Sequence, residues 1–107
     1  MVFKKVTAII PSISLEEVEK ELEGIGAPGI TITKVCGSGD YRNYFSRESL
    51  SNYSRIEIFI EKKDAKKVSN VIAKTVSSGM STEGVIAIVP VDDFIHIKDF
   101  NEVTNDE

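Results

Sequence analysis

Ser77–Lys98, SSGMSTEGVIAIVPVDDFIHIK, is the stretch around which the rest of the chain falls into place. It reads as a helix end, a turn bracketed by Gly79 and Gly84, an apolar strand over Val85–Val89, and a second short strand over Phe94–Lys98. The unbroken apolar run of Val85–Val89 suits a strand buried on both faces. Alternation in Phe94–Lys98 puts Phe94, His96 and Lys98 on one side of an extended chain and Ile95 and Ile97 on the other. Glycines that leave peptide N–H groups bare, followed by two basic side chains, are the ingredients of an anion site. The pattern points to a sensor of a small ligand rather than a catalyst.

Before this stretch, Asp64 is placed to cap a helix whose apolar face is Ala65, Val68, Val71, Ile72, Thr75 and Val76, with Gly79 as its stop. Tyr53–Glu61 alternates as a strand, with Ile56, Ile58 and Ile60 inward and Arg55, Glu57, Phe59 and Glu61 outward. Gly29–Cys36 alternates likewise, and Gly37–Ser38–Gly39 follows, where the chain can take positive φ and approach a ligand. Asp40–Asn52 is polar, carries Tyr41, Tyr44 and Phe45, and has no clear period; a loop of that length in a small domain is usually functional.

At the start, Val2–Ile10 is a strand ended by Pro11. Ser14–Leu15–Glu16–Glu17 has the form of a capping box, with Ile13 and Val18 as its hydrophobic staple. Leu15, Val18, Leu22 and Ile25 form a helical stripe that Gly24 or Gly26 stops. Strand, helix, strand, strand, helix, strand and a short extra strand make an α+β, ferredoxin-like βαββαβ fold: an antiparallel sheet with both helices on one face. Ile9, Val35 and Phe59 are expected on the other face, which argues for a homo-oligomer packed sheet to sheet.

The bulk numbers narrow the choice. A chain of 107 residues, 41% hydrophobic and 28% charged, is one soluble domain. A net charge of −4 disfavours nucleic acid as a partner. The single cysteine, Cys36, allows no internal disulfide and fits a cytoplasmic setting. No apolar run is long enough for membrane insertion, and the N-terminus lacks a signal-peptide layout. Residues 99–107 read as a frayed acidic tail.

Leu15–Gly39, Arg55–Glu61, Ser77–Val91 and Phe94–Lys98 together resemble the PII signal-transduction (nitrogen regulatory) family. The resemblance implies a domain over residues 1–98, with a T-loop at 40–53, shortened relative to the family, and a B-loop at 79–85. It implies a homotrimer of ferredoxin-like subunits that binds an adenine nucleotide as effector in clefts between subunits, with no cofactor. It further implies that the T-loop regulates a partner such as a membrane transporter or an enzyme.

Carried over position by position, Thr31, Gly37, Ser38 and Gly39 match the nucleotide contacts of the second strand and T-loop base, and Phe59 an apolar position near the adenine. Gly79, Met80, Thr82, Glu83 and Gly84 match the phosphate-binding turn. His96 and Lys98 stand where the family has two phosphate-binding arginines. Tyr41, Arg42, Tyr44, Phe45 and Arg47 form the partner-binding loop, a composition enriched at protein interfaces. Departures are Val85 for a basic residue, Thr82 for a glycine and Tyr41 for the T-loop glutamine, while Tyr44 is the nearest counterpart of a modified tyrosine. Histidine titrates near ~6.5 whereas arginine stays charged, so the pattern favours ADP, AMP or cyclic AMP at least as much as ATP.

No residue pair has the spacing of a metal site, and no nucleophile–base pair suggests catalysis. The rival readings are a CutA-type ferredoxin-like trimer linked to divalent-metal tolerance and a structural subunit of a larger assembly.

Overall fold

The computed structural model describes residues 2–35, 53–79 and 82–100. Alternating apolar residues build the two central strands, β1 over Phe3–Pro11 and β3 over Tyr53–Glu61, which pair antiparallel with Val6 opposite Ile58 and Ala8 opposite Ile56. β2, Thr31–Val35, lies outside β3, and β4, Val85–Pro90, lies outside β1, giving a four-stranded antiparallel sheet in the order β2-β3-β1-β4. Helices α1, Leu15–Gly24, and α2, Lys62–Ser77, complete the ferredoxin-like α+β architecture. Val18 and Leu22 of α1 and Ala65, Val68, Ile72 and Val76 of α2 share one core with Val6, Ala8, Ile10, Ile56, Ile58 and Ile60. Both helices therefore cover the same sheet face. The 3.6-residue period of the helices meets the two-residue period of the strands there.

Gly26 is the glycine that ends α1. Its φ of 74° is left-handed, the Gly26 N–H donates to Glu23 at 3.0 Å, and the Ala27 N–H donates to Leu22 at 3.0 Å. These bonds satisfy two terminal carbonyls in a Schellman arrangement. At the other end of α1 the capping box does not form. A 3-10 turn over Ser12–Ser14 runs straight into the helix, so Ser14 has helical φ and ψ and makes no side-chain cap bond. A side chain caps well only from an extended residue. The staple is absent too, since Ile13 is 67% exposed.

Three further expectations are corrected. α2 begins at Lys62 with extended Glu61 as its N-cap, so Asp64 lies inside the first turn. α2 ends at Ser77 without a left-handed glycine; Gly79 follows it, with its N–H on Val76 at 3.0 Å. The segment Phe94–Lys98 is not a strand. His96 is extended, but Ile97–Asp99 forms a 3-10 turn closed by the Asp99 N–H on His96 and the Phe100 N–H on Ile97, both at 3.0 Å. Aromatic contacts of Phe94 replace the ladder hydrogen bonds that a strand would need, and the two-residue alternation breaks before Lys98.

The second sheet face carries Lys5, Thr7 and Ile9 of β1, Tyr53, Arg55, Glu57 and Phe59 of β3, and Val85, Ala87 and Val89 of β4, by register. No helix covers it among the described residues. Ile9 and Tyr53 are buried there against Val35, and Lys5 pairs with Glu57 at 3.3 Å. The Arg55 Nε is buried without a hydrogen-bond partner among the described residues. β4 is an edge strand rather than one buried on both faces: Val85 is 44% exposed. Its continuous apolar run serves a surface that this chain alone leaves open.

Candidate functional site

Gly84 fixes where the turn before β4 sits. Its φ is +149°, and a Cβ built on it would lie 2.6 Å from the Ile9 carbonyl oxygen. Only glycine lets the chain enter β4 this close to β1. The preceding residue is tied down as well: the Tyr53 hydroxyl donates to Glu83 Oε1 at 3.1 Å. Thr82, Glu83 and Gly84 thus stand at the end of the sheet marked by Ile9 and Tyr53. They border a cleft of about 290 Å³ that also reaches Val76 and Ser77 at the end of α2. Among the described residues, no backbone carbonyl accepts from the N–H of Thr82 or Glu83.

Phe59 and His96 occupy the opposite end. Phe94 stacks on Phe3 with ring centroids 4.5 Å apart and lies 5.3 Å from Phe59. The His96 ring meets Phe94 edge-on at 5.3 Å. These rings form one wall of a cleft of about 510 Å³, closed on other sides by Gly26–Gly29 and by Asp64 and Lys67 of α2. Six strand steps separate Ile9 from Phe3, so the turn and the aromatic wall of one chain are about 20 Å apart.

Six of the residues singled out from sequence therefore fall into two groups. Gly79, Thr82, Glu83 and Gly84 are brought together at one end, and Phe59 and His96 at the other. Thr31 begins β2 opposite Glu57 on the uncovered face and is exposed. Lys98 is exposed in the final 3-10 turn. Gly37, Ser38, Gly39, Met80 and the loop residues Tyr41, Arg42, Tyr44, Phe45 and Arg47 lie outside the described residues, as does Cys36. Sequence reading did not single out Phe3, Phe94 or Tyr53. Phe94 was placed correctly beside His96 by alternation, but its ring partners are distant in sequence and leave no spacing to read.

Comparison with known proteins decides what this arrangement belongs to. The family model described as nitrogen regulatory protein P-II matches residues 3–100, nearly the whole of both ends and the sheet between them. The chain belongs to the P-II family. It is 35% identical to nitrogen regulatory protein P-II 2 of Methanothermobacter thermautotrophicus over 92% of each chain. It is 32% identical to the P-II protein of Cyanidium caldarium, over 90% of this chain and 91% of the relative. Among solved structures it superposes on Arabidopsis thaliana PII bound to citrate with a TM-score of 0.73 and 28% identity, covering 91% of this chain and 84% of that one. As a P-II protein it is a regulatory signalling protein and not an enzyme. The match sets the P-II reading above the CutA-type alternative. No helix among the described residues is long and apolar enough to cross a membrane.

Proposed function

We propose that this P-II protein binds an adenine nucleotide between subunits of a homotrimer and passes the signal to a partner protein through the loop at 40–53. The observation that carries the reading is the separation of the two groups. The amide-rich turn and the aromatic wall with His96 lie at opposite ends of one chain's sheet, about 20 Å apart. One nucleotide reaches both only if the turn comes from one copy and the rings from the next. The uncovered sheet face, with exposed Phe59, Val85 and Val89 on it, supplies the apolar surface for such packing.

In this arrangement the base stacks against Phe59 and Phe94, and the phosphates meet the amides of Thr82–Gly84. Lys67 and His96 line the ring-end cleft, and Lys98 follows in the 3-10 turn beyond it. A charge-assisted contact to phosphate is worth roughly 1.5–3 kcal/mol, so His96 and Val85 in place of fixed cations favour ligands with fewer phosphates. ADP, AMP or cyclic AMP then binds at least as tightly as ATP. The citrate bound by the Arabidopsis relative is likewise a small polyanion.

Titration calorimetry with magnesium-ATP, ADP, AMP, cyclic AMP and 2-oxoglutarate, run beside sedimentation equilibrium, tests the reading. A trimer that binds at least one adenine nucleotide supports it. A monomer, or a trimer that takes up none of them, overturns it. Magnesium-ATP binding far tighter than ADP and enhanced by 2-oxoglutarate overturns the preference for fewer phosphates.

A further inference from the structure

Glu83 is the one carboxylate in the turn sequence Gly79–Gly84. A turn of bare peptide N–H groups attracts anions, and the anion attached to the turn itself is this side chain. Because it is covalently tethered, its effective concentration at the amides far exceeds that of a free ligand. A phosphate site with a glutamate in its own loop therefore needs something to keep that glutamate occupied elsewhere.

The structure supplies the restraint. Tyr53, the first residue of β3, is 5% exposed and packs with Ile9 and Val35 on the uncovered sheet face. Its ring position is thus set by the sheet, and its hydroxyl donates to Glu83 Oε1 at 3.1 Å across 30 residues of sequence. Gly84, where a Cβ would lie 2.6 Å from the Ile9 carbonyl oxygen, sets the end of the turn directly against β1. We propose that Tyr53 is a positioning residue of the phosphate site: its hydroxyl holds the Glu83 carboxylate over the sheet, leaving the turn amides to an external phosphate. The proposal rests on the nucleotide reading above and adds to it a specific cause of affinity. Without the hydroxyl, Glu83 competes with the ligand for the same donors.

The test is a four-way comparison on the full chain: wild type, Tyr53→Phe, Glu83→Gln and the double variant, each titrated with ATP and with ADP. Tyr53→Phe keeps the ring against Ile9 and Val35, and should weaken both nucleotides about five- to tenfold, the scale of one net hydrogen bond. Glu83→Gln should bind as tightly as wild type or more tightly. The double variant should regain the affinity of Glu83→Gln, because removing the competitor makes the restraint unnecessary. A bond that only stabilises the turn behaves differently: both single changes weaken binding alike and the double is no better, which overturns the proposal. Equal affinity in all four also overturns it and leaves the nucleotide reading standing. A wild-type chain that binds neither nucleotide removes the site itself. If Tyr53→Phe fails to fold, Glu83→Gln decides alone, since a several-fold loss of affinity in that variant contradicts a competing carboxylate.

Discussion

At the Ile9 end of the sheet the chain is held by contacts that tolerate no added atom, whereas at the Phe3 end it is held by ring faces that can shift against one another. Gly84 has 2.6 Å between a would-be Cβ and a backbone oxygen, which no side chain can move aside. Phe94 touches Phe3 and Phe59 at centroid distances of 4.5 and 5.3 Å, within the broad range in which aromatic pairs attract. The contrast matches what each end is proposed to hold. Phosphate is recognised by a fixed set of N–H donors, where small displacements break bonds, while a base is recognised by flat apolar surface.

Substitutions that act on one end alone break or sharpen this comparison. The largest effect is expected for Gly84→Ala, which meets both the Ile9 oxygen and an unfavourable φ. It should cost about 3 kcal/mol, read as a fall in the urea midpoint, and neutral behaviour would remove the rigid half of the contrast. Phe94→Ala loses three ring contacts, to Phe3, Phe59 and His96, and should cost about 2 kcal/mol, while the protein still folds and Tyr53 keeps its environment. Gly26→Ala comes next. The residue has a φ of 74° but nothing within 4 Å of a new Cβ, so only the backbone penalty of about 1 kcal/mol applies. That value, set against Gly84→Ala, separates the cost of conformation from the cost of collision. Smallest is Glu17→Ala, expected within about 0.5 kcal/mol because no capping box forms; a larger loss in thermal unfolding would show that the box does form in solution.

The same two ends show what a sequence reveals. The strand β3 was read with its full bounds because Ile56, Ile58 and Ile60 alternate against charged neighbours and one face is buried. Helix α2 was read three residues late, since Lys62 and Lys63 carry no cap signal and Asp64 does. Phe94–Lys98 has the alternation of a strand, yet alternation says nothing about whether a partner strand is there to pair with. The ring of Phe94 found Phe3 and Phe59 instead. Ser14 and Glu17 have the right types at the right spacing, and the 3-10 turn ahead of them removed the extended conformation that a cap requires. At the candidate site, Gly84 was legible because glycine in a turn before an apolar run has few other uses. The Tyr53–Glu83 bond was not, because contacts across the sheet follow from register, and register is invisible until the strands are laid side by side.

Arg55 gives the uncovered face a property beyond apolar area. Its Nε is already withdrawn from water and still lacks an acceptor among the described residues. The isolated chain therefore already carries the cost of that unmet donor, about 1–3 kcal/mol, and a surface that brought an oxygen within its reach would recover it. An apolar surface would neither add to that cost nor relieve it.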